Sequence, residues 1–317
     1  EGVATPFEQM TGIKVEFDYT EDNELQAILM QVIPQGKQPP VDVNWTTSTN
    51  AMREALMGLP TDLTYDLVPN MEEMFDAAFP EKVEGYTGIP FLNVYSYTYA
   101  MGYLKEAFPS PPTSWREIWK EDYVGQVGMY DDGIGFIPVL AKLANLKIPD
   151  DLTPERMEPA WDLLRELVPN IRGHLGEDPD LTQWLVTKEV KLECTIVTNV
   201  IEANRQVPDV GGWTVPEEGV DMETDALYVP KNLPPERDYW AKQFVNLALS
   251  AEAQTKWSGA LGCPPLNKYA HVADYMQDDP AFPTKSEHFK KMIIIPLSTR
   301  VQYEKDWFEK FEEIVSG

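Results

Sequence analysis

Apolar and polar positions change period repeatedly along the chain, and the changes mark elements. Ile13, Val15, Phe17 and Tyr19 alternate with polar neighbours, which predicts a strand, and residues 25–32 follow with helical spacing. A breaker cluster at 34–40, rich in Pro and Gly, precedes an apolar strand at 41–45 that runs into the hydroxyl loop Thr46-Thr-Ser-Thr49. Residues 127–130 and 190–196 are further strands; in the latter Val190, Leu192, Cys194 and Ile196 form the core side, and Lys191, Glu193 and Thr195 the polar side.

Helices carry local punctuation. Thr153-Pro154 supplies a cap and a first-turn proline for a helix burying Met157, Ala160, Trp161, Leu164 and Val168. Pro235 opens another, with Trp240, Phe244, Leu247 and Ala248 inward; Ser250 caps the next, which ends at Gly259 or Gly262. The last helix presents Trp307, Phe308, Phe311, Ile314 and Val315. Alternating strands and helices predict a mainly parallel α/β architecture. Three short passages, at 94–102, 224–230 and near 268–274, read as crossings between two lobes. Lobe 1 is assigned residues 1–97 with 227–270, and lobe 2 residues 98–226 with 271–317.

Charge changes the picture. With 52 acidic and 26 basic residues the net charge is −26. Such a field repels nucleic acid and anionic membranes; it serves either attraction of cations or solubility alone. Two cysteines, Cys194 and Cys263, fall in different lobes and are expected as unpaired thiols. The longest apolar run, near 292–297, is far shorter than the ~20 residues of a membrane helix. Residues 1–10 read as a helix under way, as though processing or a missing segment precedes them.

Candidate chemistry is that of binding. Trp45 ends a strand beside hydroxyls, Thr46 and Thr47 among them, and suits stacking or cation–π contact. Tyr95, Tyr97, Tyr99 and Tyr103 share one strand face, as a ligand wall or a packed hinge. Asp131 and Asp132 follow a strand and suit an ammonium group or a helix cap; Thr198 and Asn199 offer neutral hydrogen bonds, Asn199 equally a cap. Asp225, with Glu223 nearby, is a third acidic site. Nucleotide, phosphate, nucleophile-elbow and zinc-protease motifs are absent, and His174, His271 and His288 read as surface residues. No cofactor or metal is expected. Asn44-Trp45-Thr46 fits a glycosylation sequon, which reads as accidental.

In chain order, several segments resemble the solute-binding proteins of ABC importers, in the branch of polyamine, ferric-iron and thiamine binders. They are Phe7-Glu-Gln-Met-Thr-Gly-Ile-Lys-Val-Glu-Phe, Val41-Asp-Val-Asn-Trp-Thr, Gly88-Ile-Pro-Phe, Pro112-Thr-Ser-Trp-Arg-Glu-Ile-Trp, Trp213-Thr-Val-Pro-Glu-Glu-Gly, Thr224-Asp-Ala-Leu-Tyr-Val-Pro, Leu249-Ser-Ala-Glu-Ala-Gln and Leu261-Gly-Cys-Pro-Pro-Leu-Asn. The resemblance implies the two-lobe type II periplasmic-binding-protein fold with hinge strands between lobes. It also implies export to the periplasm, a monomer, a small-molecule solute gripped in the interlobe cleft, and a membrane permease as partner. The family's first strand is missing from the matched region. Asp132 and Asp225 match the acidic positions of polyamine binders, whereas Thr49, Val197, Met222 or Glu223, and Cys263 stand where those proteins have aromatic residues, and Gly135 where they have an acid. The paired tyrosines of ferric-iron binders are not evident.

The sequence therefore predicts a binder, not an enzyme, with Trp45, Thr46, Thr47, Tyr95, Asp131, Asp132, Thr198, Asn199, Asp225 and Cys263 as candidate contacts and an organic cation favoured. A neutral or anionic solute is the alternative, with Arg300 and Arg53 as candidate anion contacts. A secreted hydrolase using a carboxylate pair is the rival from another class.

Overall fold

The computed structural model describes residues 2–317. Its elements, in chain order, begin with α1 (Ala4–Thr11), α2 (Asp22–Val32), β1 (Asn44–Thr47), α3 (Ser48–Leu56) and the long β2 (Leu92–Leu104). Then come β3 (Val127–Gly128), α4 (Ile137–Leu143), α5 (Glu158–Leu167), α6 (Asp178–Thr187), β4 (Leu192–Ile196), α7 (Val197–Gln206), β5 (Gly211–Thr214) and β6 (Val220–Tyr228). The chain ends with α8 (Pro235–Ala248), α9 (Ala251–Leu261), β7 (Met292–Ile293) and α10 (Leu297–Ser316). Two compact units emerge: unit 1 from Glu1–Ser96 and Thr224–Asp274, unit 2 from Tyr97–Glu223 and Tyr275–Gly317. The chain passes between them within β2, within β6 and after Asp274.

In unit 1, β1 lies antiparallel to the second half of β6, from Asn44 opposite Tyr228 to Thr47 opposite Asp225. Its core includes Leu29, Met52, Phe91 and Tyr228, all fully buried. Phe7 of α1 packs edge-on against Trp240 and Phe244 of α8, with ring centroids 6.4 and 5.3 Å away. Those two rings are only half-buried, and the innermost face of α8 is Ala241, Val245 and Ala248 instead.

In unit 2, β2 pairs antiparallel with β4 and with β5, β3 runs parallel to β4, and β7 runs parallel to the start of β6. Trp115, Phe136, Trp307 and Phe311 fill the core. Of the five inward residues expected on α10, Trp307 and Phe311 are buried, together with Arg300.

Several expectations need correction. The sheet is mixed rather than mainly parallel, because β1 and β2 take partners from distant, oppositely running segments that local alternation does not reveal. Residues 13–19 form no strand: Phe17 and Tyr19 are exposed, and alternation supplies a face but no backbone partner. The hydroxyl run is not a loop; Thr47 is the N-cap of α3, its Oγ1 accepting from Asn50 N at 3.3 Å, and Ser48 and Thr49 are the first helical residues. The helix expected from Thr153 starts at Glu158: a separate turn occupies 153–157, and Pro159 sits in the first turn, the position at which proline is tolerated. Glu193 is fully buried rather than on a polar side, His288 is 7% exposed rather than on the surface, and Asn44 of the sequon is buried. Both cysteines are free and buried, Cys194 in unit 2 and Cys263 in unit 1. Among the described residues no helix is long and apolar enough to cross a membrane.

Candidate functional site

Unit 1 contains six of the ten expected contacts. Alternation along β1 turns Trp45 and Thr47 to one side and buries Asn44 and Thr46 on the other. Asn44 is held there by Tyr228 (3.1 Å) and Glu54 (3.4 Å). Trp45, 37% exposed, lies 5.0 Å from the Trp257 ring of α9 and 6.0 Å from Tyr95 of β2, centroid to centroid. The Tyr95 hydroxyl donates to Asp225 Oδ2 at 2.5 Å, a short charge-assisted bond that fixes the carboxylate beside the aromatic group. Burial, then the Asp225 charge, raise the Tyr95 phenol, so it stays a donor. Cys263 is a neutral thiol in the same surroundings, pushed up to about 12 by burial and then by Asp225. Thr46 carries a buried hydroxyl with no hydrogen-bond partner. Ser48 is taken up structurally, accepting from the Thr224 hydroxyl at 2.8 Å.

Ser250 caps α9 by accepting from Ala253 N at 3.3 Å, and the helix ends on Gly262 at φ +74°. That left-handed stop delivers Cys263 to the strand region, and Pro265 bridges Tyr95. Trp257 was not among the expected contacts, although its place on a well-punctuated helix was readable.

Unit 2 divides its candidates between two clusters. Asp132 sits in a tight loop, its Oδ1 accepting from Ile134 N at 2.8 Å. It therefore closes a turn instead of capping α4, whose N-cap is Phe136. Gly133 (φ +75°) and Gly135 (φ +77°) make the turn possible. A Cβ at Gly135 would lie 2.1 Å from the Tyr99 ring, so no side chain fits where polyamine binders carry an acid. Burial raises the Asp132 carboxyl against the pull of Ile134 N, with Asp131 and Glu304 adding repulsion. Asp131 itself is exposed.

Beside this loop, Arg300 of α10 is almost wholly buried. Its Nη2 donates to both oxygens of Asp221 at 2.6 and 2.8 Å, and its Nη1 lies 2.9 Å from Glu223 Oε1. Alternation along β6 puts Asp221, Glu223 and Asp225 at every second position, a spacing readable in the sequence.

The second cluster is structural. Asn199 lies inside α7 rather than at its cap, and its amide donates to Tyr130 Oη (3.0 Å), Asp178 (2.9 Å) and Thr195 (3.1 Å). Tyr130 in turn donates to Asp178 at 2.6 Å. These bonds tie α7 to α6 and occupy the amide. Thr198 is half-buried on the same helix. Tyr99 meets Tyr130 edge-on at 5.6 Å and Tyr97 at 5.9 Å, so that wall is largely packing.

Comparisons place this architecture. The family described as bacterial extracellular solute-binding protein matches residues 2–284. The spermidine/putrescine-binding periplasmic protein of Salmonella typhimurium is 25% identical over 279 residues, covering 84% of this chain and 74% of that one. Among solved structures, an ABC transporter protein from Clostridium perfringens superposes with a TM-score of 0.79 at 20% identity, covering 99% of this chain and 95% of its own. The spermidine/putrescine ABC transporter substrate-binding protein of Streptococcus pneumoniae gives 0.76 at 18%, covering 98% and 94%. The fold is thus the two-lobe periplasmic-binding-protein type. The chain belongs to the bacterial extracellular solute-binding proteins, the binding components of ABC transporters, and is not an enzyme.

Proposed function

We propose that the solute is an organic cation of the polyamine class and that the chain, acting as an exported monomer, delivers it to a membrane permease. The observation that carries this reading is the pairing in unit 1 of a half-exposed Trp45 ring with an Asp225 carboxylate fixed by Tyr95. An aromatic face and a held anion are what an alkylammonium group requires. Thr47 and Cys263 belong with this face and Thr46 lies behind it; in unit 2, taken by itself, Asp131, Asp132 and Thr198 are the contacts proposed for such a cation, with Asn199 bonded to Tyr130. The spermidine/putrescine-binding relatives support the class of ligand, and the sequence resemblance, in which Asp132 and Asp225 stand at acidic positions of polyamine binders, supports the residues.

Neither arginine weighed for an anionic solute stands without a partner. Arg300 is enclosed by Asp221, Glu223 and Glu304, and Arg53 is hydrogen-bonded to Asn50. A ligand that binds only the folded state raises its melting temperature. In a thermal-shift panel of amines, amino acids, sugars, vitamins and organic acids, putrescine and spermidine are expected to give the largest increases. A shift confined to sugars or organic acids rejects the reading.

A further inference from the structure

Unit 2 crowds several carboxylates around one buried guanidinium. Arg300 faces three carboxylates: Asp221 at 2.6 Å, Glu223 at 2.9 Å and Glu304 at 3.3 Å, with side chains 0, 8 and 12% exposed. The two-pronged contact commits the guanidinium to Asp221. Glu223 shares the remaining Nη1 with Glu304, and its Oε1, though close to Arg300, is buried without an aligned hydrogen bond. Asp132 from the loop after β3 adds repulsion, and Tyr99 of β2 faces the cluster as a neutral phenol. Four acids therefore act on one another around one base, in surroundings where unpaired charge is costly.

We propose that Glu223 carries a proton in the solute-free protein and that the arriving cationic solute expels it, coupling capture to proton release. The inference rests on the cationic solute proposed above. In the exchange the Glu223 O–H bond breaks, the proton passes to buffer, and an ammonium group held at Asp132, which acts on Glu223 within the same unit, takes over the compensation of charge. Burial raises the Glu223 carboxyl most, Asp221, Glu304 and Asp132 push the same way, and Arg300 opposes them. A nearby cation reverses that balance. Apparent affinity then rises with pH, approaching tenfold per pH unit where a full proton is released.

Two readouts test this. Infrared spectra of the solute-free protein at neutral pH are expected to show a protonated-carboxyl signal that E223Q lacks. In the wild type alone, without any variant, part of that signal is expected to disappear on adding putrescine. Calorimetric titration with putrescine in buffers of different ionisation heat is expected to show proton release in the wild type and none in E223Q. Absence of an E223Q-sensitive signal overturns the proposal, as does putrescine binding with a heat independent of buffer. A wild type that binds neither putrescine nor spermidine overturns the coupling together with the functional reading, whereas binding without proton release overturns the coupling alone.

Discussion

The two units hold their acids in opposite ways. In unit 1 Asp225 accepts from a neutral donor, Tyr95, beside an aromatic ring that reaches solvent. In unit 2 Asp221 is held by a cation, Arg300, and buried, so its charge is compensated within the protein. A carboxylate pinned by a hydroxyl keeps its net charge, whereas one pinned by a guanidinium does not. Under the proposed function, a cation would find a carboxylate held by a neutral donor in unit 1 and one already paired with a guanidinium in unit 2.

The largest expected effect breaks the unit 2 side. Arg300→Met leaves the Asp221 carboxylate buried without its base, and destabilisation of about 3–5 kcal/mol is expected in chemical denaturation. A loss below 1 kcal/mol would mean that this carboxylate is already neutral without Arg300. On the unit 1 side, Asp225→Asn removes the held charge and should weaken putrescine binding by about 1.5–3 kcal/mol, measured by calorimetry. Asp132→Asn, with its carboxylate partly spent on Ile134 N, should act in the same direction but less strongly. If Asp132→Asn proves the more damaging, the contrast between the two units is reversed.

Two buried acids sharpen the comparison through pH. Burial raises Glu54 of unit 1 to about 7, against hydrogen bonds with Tyr228 and Asn44. Glu193 of unit 2 is raised well above the usual range by burial alone. Both of its oxygens lack a partner, and Gly102 and Gly128 leave room that a Cβ would close to 2.8 and 3.2 Å. The neighbouring titratable group on its strand is the Cys194 thiol, itself raised. A raised acid contributes its full stability below its unfolded value near 4.5 and loses it as pH rises through the folded value. Melting curves of Glu54→Gln and wild type should therefore diverge up to about pH 7 and then run parallel. Those of Glu193→Gln should keep diverging at higher pH. Parallel curves throughout would mean that water or a shifted partner already satisfies Glu193.

What was legible in the sequence is what local chemistry decides. The Ser250 cap fixed the start of α9 and two glycines, Gly259 and Gly262, bracketed its stop, which is Gly262, because such signals act within one turn. Trp45 and Asp225 could be singled out because strand ends and family segments mark them. Long-range facts were not legible. Glu193 looked solvent-facing because alternation assumes one wet side, whereas β4 is covered on both, Trp184 of α6 lying over Gly128 beside it. Residues 13–19 showed a strand's pattern without a strand's partner. Arg300, noted as an anion contact, is consumed by Asp221 across 79 residues of chain, a pairing that spacing alone does not disclose.

The central claim is that the solute is recognised by its positive charge. It is tested most directly by titrating the wild-type protein with putrescine and with 1,4-butanediol, its uncharged counterpart of similar length, under identical conditions. The account predicts saturable binding of the diamine and none of the diol. Equal binding of the two, or binding of the diol alone, would contradict it.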